Sequence, residues 1–368
     1  MAFTGAQLTT QLDADGTLTV KLNDKTWDDP KPGQVLIKVE ATPINPSDLG
    51  LLFASADTDN AEYSPGKVVA KMPQNVTRAM KARHGLAMPA GNEAAGIVVA
   101  AGEGAEHLMG KRIACVPGTA YGTYAIAEAR MAFAVDDSVT AEQAAGSFVN
   151  PMTALGFVET MKLEGYKGIV HAAAASNLGQ MLLKICLEDE VPLINVVRSD
   201  AQVTLLKGLG ATHVLNMTDA DYMPRLIDAI AETKAMIGFD PIGGGTVASQ
   251  FLTAMEAAAS RGAVFSRYGS SEPKKVYIYG ALDLGPTILN RTFGLTWDLG
   301  GWLLTPFMLK AGLAVVGRMR ARVMKDLSTT FASHYKARVS LQGMLTRDAV
   351  RDYNARRTGE KYLVTPNA

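Results

Sequence analysis

The sequence predicts an α/β protein: a doubly wound parallel sheet accompanied by a β-rich domain. Three observations predict it. Residues 167–199 (KGIVHAAAASNLGQMLLKICLEDEVPLINVVRS) read as strand, tight turn, amphipathic helix and second strand. From about Ala141 onward, short apolar runs alternate with helix-period segments, the pattern of a parallel sheet covered by helices on both faces. Residues 17–48 and 92–135 instead alternate apolar and polar residues between glycines and prolines, the texture of an irregular β-rich unit.

Taken in order, the β-rich texture begins with TLTVKL and QVLIKVEATPI and resumes with GIVVAAG, KRIACVPG, YGTYAIA and MAFAV. Between these, residues 54–90 are polar, long and poorly periodic, and read as a functional lid or a mobile insertion. Helix-period segments AEQAAGSFV and NPMTALGFVETMK lead into the alternating region. Strands are expected at 169–172, 193–197, 213–216, 236–240, 263–268 and 276–279, with helices at 178–188, 200–209, 221–232 and 246–260. Two more helical stretches follow Leu303, and the terminal KYLVTP is a short strand that most simply rejoins the first domain. The expected division is 1–147, 148–306 and 307–368, the last part returning to the first.

A chain of 368 residues is long enough for two cores. Its 36 basic and 36 acidic residues cancel, which argues against nucleic acid or an anionic membrane as main partner. Two cysteines cannot build a disulfide framework, and five scattered histidines show no metal-site spacing. No basic-then-apolar leader is visible and no apolar run approaches the roughly 20 residues that span a bilayer. A metal-free, cytoplasmic protein acting on a small molecule is expected.

The turn after the first strand carries the chemistry. Where G-x-G-x-x-G is expected, the chain has Ala174-Ala175-Ser176-Asn177-Leu178-Gly179 and keeps only the last glycine. Ala and Ser still permit close approach, and Asn tolerates a left-handed turn, so Ser176, Asn177 and Leu178 are candidates for a pyrophosphate held at a helix N-terminus. Arg198 and Ser199 end the second strand, where an acidic residue would mark NAD. A guanidinium there matches a 2′-phosphate and points to NADPH; a strand end in solvent is the alternative. Gly243 and Gly244, and then Tyr279, Gly280 and Ala281, close later strands at the end where ligands bind.

Asn45-Pro46-Ser47-Asp48, Gly91-Asn92-Glu93-Ala94-Ala95-Gly96, Asn150-Pro151-Met152-Thr153-Ala154, Ile194-Asn195-Val196-Val197-Arg198 and the closing Arg357-Thr358-Gly359-Glu360-Lys361-Tyr362-Leu363 together resemble the medium-chain dehydrogenase/reductase superfamily. Its quinone oxidoreductase and mitochondrial-type 2-enoyl thioester reductase branches are closest, and PINPSD, GNE, Ser176 and INVVR resemble the enoyl reductases more. The resemblance implies a GroES-like catalytic domain beside the Rossmann-type sheet. It implies hydride transfer from NADPH to an activated C=C bond of a 2-enoyl thioester or related carbonyl, with quinone reduction as the alternative. A non-catalytic NADPH-binding scaffold or redox sensor stands third. Zinc enzymes of the superfamily have Cys and His where this chain has Asn45, Asn92 and Val149, which implies a zinc-free site. Asn45 is implied near the nicotinamide or substrate carbonyl. Thr153 is implied to face the cofactor, with a helix cap as the plain alternative, and Glu93 to be a buried carboxylate tied to backbone or Arg. The proton-donating tyrosine of the enoyl reductases has Tyr63 as its candidate here, against a loop tyrosine or a proton from water. Lys67, Lys71, Arg78, Lys81 and Arg83 are a charged channel mouth or a solvated face. A homodimer is implied, with residues 276–283 as its seam.

Overall fold

The apolar runs sort into two sets of sheets. The computed structural model describes residues 2–355, 357–358 and 361–367, so Gly359 and Glu360 of the closing motif lie outside the described residues. The chain divides into Met1–Val149 with Asp326–Ala368, and Asn150–Lys325. The return to the first unit begins later than the expected 307, because the helix Leu304–Lys325 groups with the second unit.

In the first unit, Thr17–Trp27 buries Leu18 and Val20 and pairs antiparallel along its length with Phe3–Leu12. These two strands centre a five-stranded sheet in the order Glu62–Ser64, Lys67–Lys71, Thr17–Trp27, Phe3–Leu12, Met88–Pro89. Residues 54–90 are therefore neither lid nor mobile insertion. They supply the sheet with both of its outer parts. Lys67–Lys71 hides Val68 and Ala70 and exposes both lysines, a period-2 pattern only five residues long. A second sheet gathers Ala132–Ala134, Arg112–Cys115, Ala94–Ala101, Gln34–Pro43, Tyr362–Val364 and Ala337–Val339, with Tyr124–Glu128 also on Gln34–Pro43. The terminal strand rejoins the first unit, Leu363 opposite Pro43. Leu8, Leu12, Val20, Leu52, Phe53, Tyr121 and Tyr353 form one continuous core beneath these sheets.

The second unit is a six-stranded parallel sheet. Its order is His213–Asn216, Leu193–Val197, Ile169–Ala172, Ile237–Asp240, Lys274–Ile278, Trp297–Gly301. Numbered along the chain this is 3-2-1-4-5-6, the doubly wound order whose strand sequence reverses beside the first strand. Helices Asn177–Glu188, Asp200–Gly208, Tyr222–Thr233 and Val247–Ala259 connect the strands. Val170, Ile194, Leu226, Ile230, Phe251 and Met255 form part of the core between sheet and helices.

One expected strand is absent. Residues 263–268 are a loop in which Val264 and Phe265 stand almost fully in solvent. The fifth strand is Lys274–Ile278, and Trp297–Gly301 completes the sheet.

Candidate functional site

The candidate residues fall in both units, and each unit is described by itself. In the first, the strand Gln34–Pro43 runs into the short helix Pro46–Leu52, with Asn45 at its N-cap. The Asn45 N–H donates to Asp48 Oδ2 at 2.9 Å, and the Asn92 N–H donates to Asp48 Oδ1 at 2.8 Å. Asp48 thereby ties the Asn45 turn to the Gly91–Gly96 turn. Asn45 Nδ2 donates to Glu93 Oε1 at 2.8 Å, while Glu93 Oε2 accepts the N–H groups of Phe148 (3.2 Å) and Val149 (2.8 Å). Asn45, Asp48 and Glu93 are all buried.

A carboxylate can only accept, so Glu93 orients the Asn45 amide with nitrogen toward itself. Asn45 Oδ1 is then buried without a partner among the described residues, an acceptor held in readiness. Burial pushes the Asp48 carboxyl up to about 7, and the backbone N–H bonds oppose the shift only partly. Burial also raises Glu93, against the pull of the Lys361 charge. Lys361 in turn is lowered by burial; its ammonium nitrogen is buried, without a hydrogen-bond partner among the described residues, 5.6 Å from the centre of the Tyr335 ring. Glu93 is thus tied to backbone, as expected, but the cation facing it is a lysine.

Tyr63 lies on the strand Glu62–Ser64 and is half-buried. Its hydroxyl donates to the Thr58 carbonyl at 2.8 Å, and the Arg347 guanidinium covers its ring at 4.7 Å. Its proton is already engaged on the segment just before its own strand, which speaks against a donor's role. Of the five basic residues nearby, Lys71 pairs with Asp15 and Arg83 reaches inward to Thr10 Oγ1 and the Leu51 carbonyl.

In the second unit, the central strand Ile169–Ala172 ends in Ala173, a non-glycine residue at φ 49°. The left-handed turn therefore starts one residue before the motif read from sequence. Ser176 caps the helix Asn177–Glu188, its Oγ accepting the Gly179 N–H at 3.1 Å. A Cβ on Gly179 would lie 2.2 Å from the Ala174 carbonyl oxygen. The one retained glycine is the one that helix-to-strand packing cannot replace. Leu178 is buried, so only its backbone is available to a ligand.

Arg198 follows the strand Leu193–Val197, is exposed, and forms no ion pair among the described residues. Its N–H donates to Gln202 Oε1 at 3.1 Å. Ser199 caps the helix Asp200–Gly208, and Asp200 Oδ1 is occupied by Asn216 Nδ2 at 3.0 Å. The nearest acid is thus held and the guanidinium is not.

Gly243 and Gly244 lie in a three-residue strand paired with Asp283–Thr287. A Cβ on Gly244 would meet Asp283 Cγ at 2.6 Å, and one on Gly280 would meet the Pro241 carbonyl oxygen at 2.6 Å. These glycines let two chain segments touch, which is a packing role. Tyr279 turns inward to His171, and Ala281 is exposed beyond it. Thr153 is buried inside the helix Val149–Leu163 rather than at its cap.

The sequence reading passed over three groups: Lys361, His171 and Asp240. Asp240 is fully buried at the carboxyl end of its strand, with Oδ1 accepting the Ile242 N–H at 2.7 Å and Oδ2 lacking a partner. Its signal was a lone acid closing an apolar run.

Residues 31–154 match the alcohol dehydrogenase GroES-like domain family. Quinone oxidoreductase of Salmonella typhimurium is 24% identical over 58% of this chain and 64% of its own length. The synaptic vesicle membrane protein VAT-1 homolog of Rattus norvegicus is 27% identical over 60% of this chain and 50% of its own. By these likenesses the chain is similar to the medium-chain dehydrogenase/reductase superfamily. It spans less than two thirds of the length of these curated relatives. Among solved structures of the same medium-chain fold, Escherichia coli quinone oxidoreductase complexed with NADPH superposes with TM-score 0.69 at 17% identity, covering 99% of this chain and 100% of the other. A Pseudomonas syringae quinone oxidoreductase gives 0.69 at 16% identity, covering 98% and 100%.

The zinc positions of this superfamily can now be tested on the donors present. Asn45 has its amide nitrogen on Glu93, Asn92 has its own on Ser47 Oγ at 2.9 Å, and Val149 offers an alkyl chain. Such a set does not fit zinc.

Proposed function

We propose that this medium-chain protein is an NADPH-dependent oxidoreductase whose substrate is a quinone, working without a metal. The observation that carries the reading is Arg198: an exposed, unpaired guanidinium beyond the second strand of a doubly wound sheet, beside a capped turn. When bound, NADPH supplies a hydride. Ser176, Asn177 and Leu178 at the helix N-terminus would hold its pyrophosphate, and Arg198 its 2′-phosphate. Asn45 Oδ1, in the first unit, would accept from an N–H or O–H of a substrate. With Tyr63 engaged on Thr58, the proton for the reduced oxygen comes from water. The relatives' names favour a quinone over the enoyl thioester that the short motifs suggested. The reading includes a cytoplasmic location and a homodimer; of the expected seam 276–283, residues 276–278 lie in a strand paired on both sides, which leaves the residues after Ile278 as the seam. Asp283–Thr287, exposed along its length, and Leu282 and Leu284, both in solvent, support that seam.

NADPH oxidation by the purified chain tests it with three acceptors in parallel: 1,4-benzoquinone, crotonyl-CoA, and none. Quinone-dependent oxidation that persists in excess chelator is expected. Turnover of crotonyl-CoA but not of quinone moves the chain to the enoyl reductases. Binding of NADPH with no turnover makes it a scaffold or sensor.

A further inference from the structure

The loop joining the helix Val247–Ala259 to the strand Lys274–Ile278 has no part in that reading. It enters the sheet at the strand's amino end, whereas dinucleotides are held at the carboxyl ends. Val264 is 95% exposed and Phe265 92%, with Tyr268 at 54% and Leu295 at 70%. Leu295 belongs to the same patch, because its N–H donates to the Tyr268 carbonyl at 3.0 Å. Contiguous apolar exposure of this kind marks an interaction surface.

The base of the loop is pinned. The buried Lys274 ammonium sits 2.7 Å from Glu256 Oε2, and Glu256 Oε1 accepts the Ser270 N–H at 2.7 Å. A Cβ on Gly269 would lie 2.6 Å from Gly294 Cα, so the two backbone segments are in contact. The apolar tip is therefore presented by a fixed support.

The geometry points to insertion of Val264 and Phe265 into the headgroup layer of an anionic lipid bilayer. Arg267 and Arg291 are exposed without carboxylate partners among the described residues; of the exposed acids Glu272 and Asp298, Asp298 is paired with Lys275, while Arg261 is paired with Asp228. The chain's zero net charge hides this local excess. Two of the loop's backbone N–H groups are used within it: Ala263 donates to the Ser260 carbonyl and Gly269 to the Ser266 carbonyl. What faces outward is apolar and cationic, which suits an anionic lipid surface. A two-fold copy across the same patch would bring like arginines together.

Sedimentation of the full chain with phosphatidylcholine vesicles, with and without phosphatidylglycerol, tests this. Binding to the anionic vesicles alone is expected, weakened by salt and reduced about tenfold by Phe265→Asp and by Arg267→Glu. Circular dichroism of both variants should match the parent, since both side chains stand in solvent. Absence of sedimentation with anionic vesicles overturns the proposal, as does undiminished binding by Phe265→Asp. Loss of self-association by that variant without vesicles assigns the patch to a second copy and overturns it too. None of these outcomes depends on the substrate.

Discussion

His171 and Tyr279 join the first and fifth strands of the parallel sheet through one hydrogen bond, 2.8 Å from imidazole Nε2 to phenol oxygen. The fourth strand lies between them, so Tyr279 reaches over Phe239 to the centre of the sheet. The two rings stack at 5.9 Å, and Phe157 packs its edge on Tyr279 at 4.7 Å and its face on Phe239 at 4.0 Å. The sheet's carboxyl end is thereby closed by a buried polar link inside an aromatic cluster.

That link makes stability depend on pH. Burial pushes the His171 imidazole down to about 3, from an ordinary value near 6.5. A base lowered in the folded state contributes stability that is complete above its unfolded pKa and is lost as pH falls toward the folded one. Urea unfolding of the parent should weaken between pH 7 and 5, and His171→Gln should lack about 1–2 kcal/mol of that loss. Equal pH slopes for the two proteins would refute the assignment.

Ala173 pays for the turn that leads into the helix. At φ 49° an L-residue carries a strain of about 1–2 kcal/mol that glycine does not. Ala173→Gly should stabilise the chain by about 1 kcal/mol after glycine's added unfolded-state freedom is subtracted. A raised denaturation midpoint with an unchanged slope is the expected observation; a lowered midpoint would show that Ala173 earns its place by packing.

Much of this second unit was legible because its strands are buried on both faces. Leu193–Val197 is five consecutive buried residues, and Asn177–Glu188 follows a capping serine. Trp297–Gly301 was not legible: one acid and two glycines argue against a strand, and it exists because the ladder of Lys274–Ile278 offers it a partner. Residues 263–268 misled for the opposite reason. An apolar run suggested a strand, but its direction is set by the distant Glu256 through Ser270. In the site, Asn45, Asp48 and Glu93 sit in recognisable short motifs. Their meeting with Lys361 depends on the closing strand, a contact that no local pattern encodes.

The Lys274–Glu256 pair gives a prediction about that loop. Lys274 Nζ donates also to Ser270 Oγ and the Glu272 carbonyl, both at 2.9 Å, so the ammonium is fully satisfied. Lys274→Met should cost about 3–5 kcal/mol by stranding a largely buried carboxylate. The double variant Lys274→Met/Glu256→Leu should recover most of that loss, because no charge is left unpaired. Guanidinium denaturation measures both; a double variant as weak as the single one would mean that the loop, not the charge, is what the pair holds.

Arg198 offers the sharpest discrimination. Its side chain is exposed and unpaired, so Arg198→Ala removes nothing that holds the fold. A hydrogen bond to a charged group is worth about 1.5–3 kcal/mol, which corresponds to roughly 10–100-fold in affinity. Calorimetric titration should show NADPH binding weakened by that factor while NADH, which lacks the 2′-phosphate, is unchanged. Asp200 is held by Asn216 and would not take over the ribose in the variant, so NADH should not gain either. Equal weakening of both nucleotides would place Arg198 on a part they share, and unchanged binding of both would place it outside the cofactor's reach; either result removes the preference for the phosphorylated form.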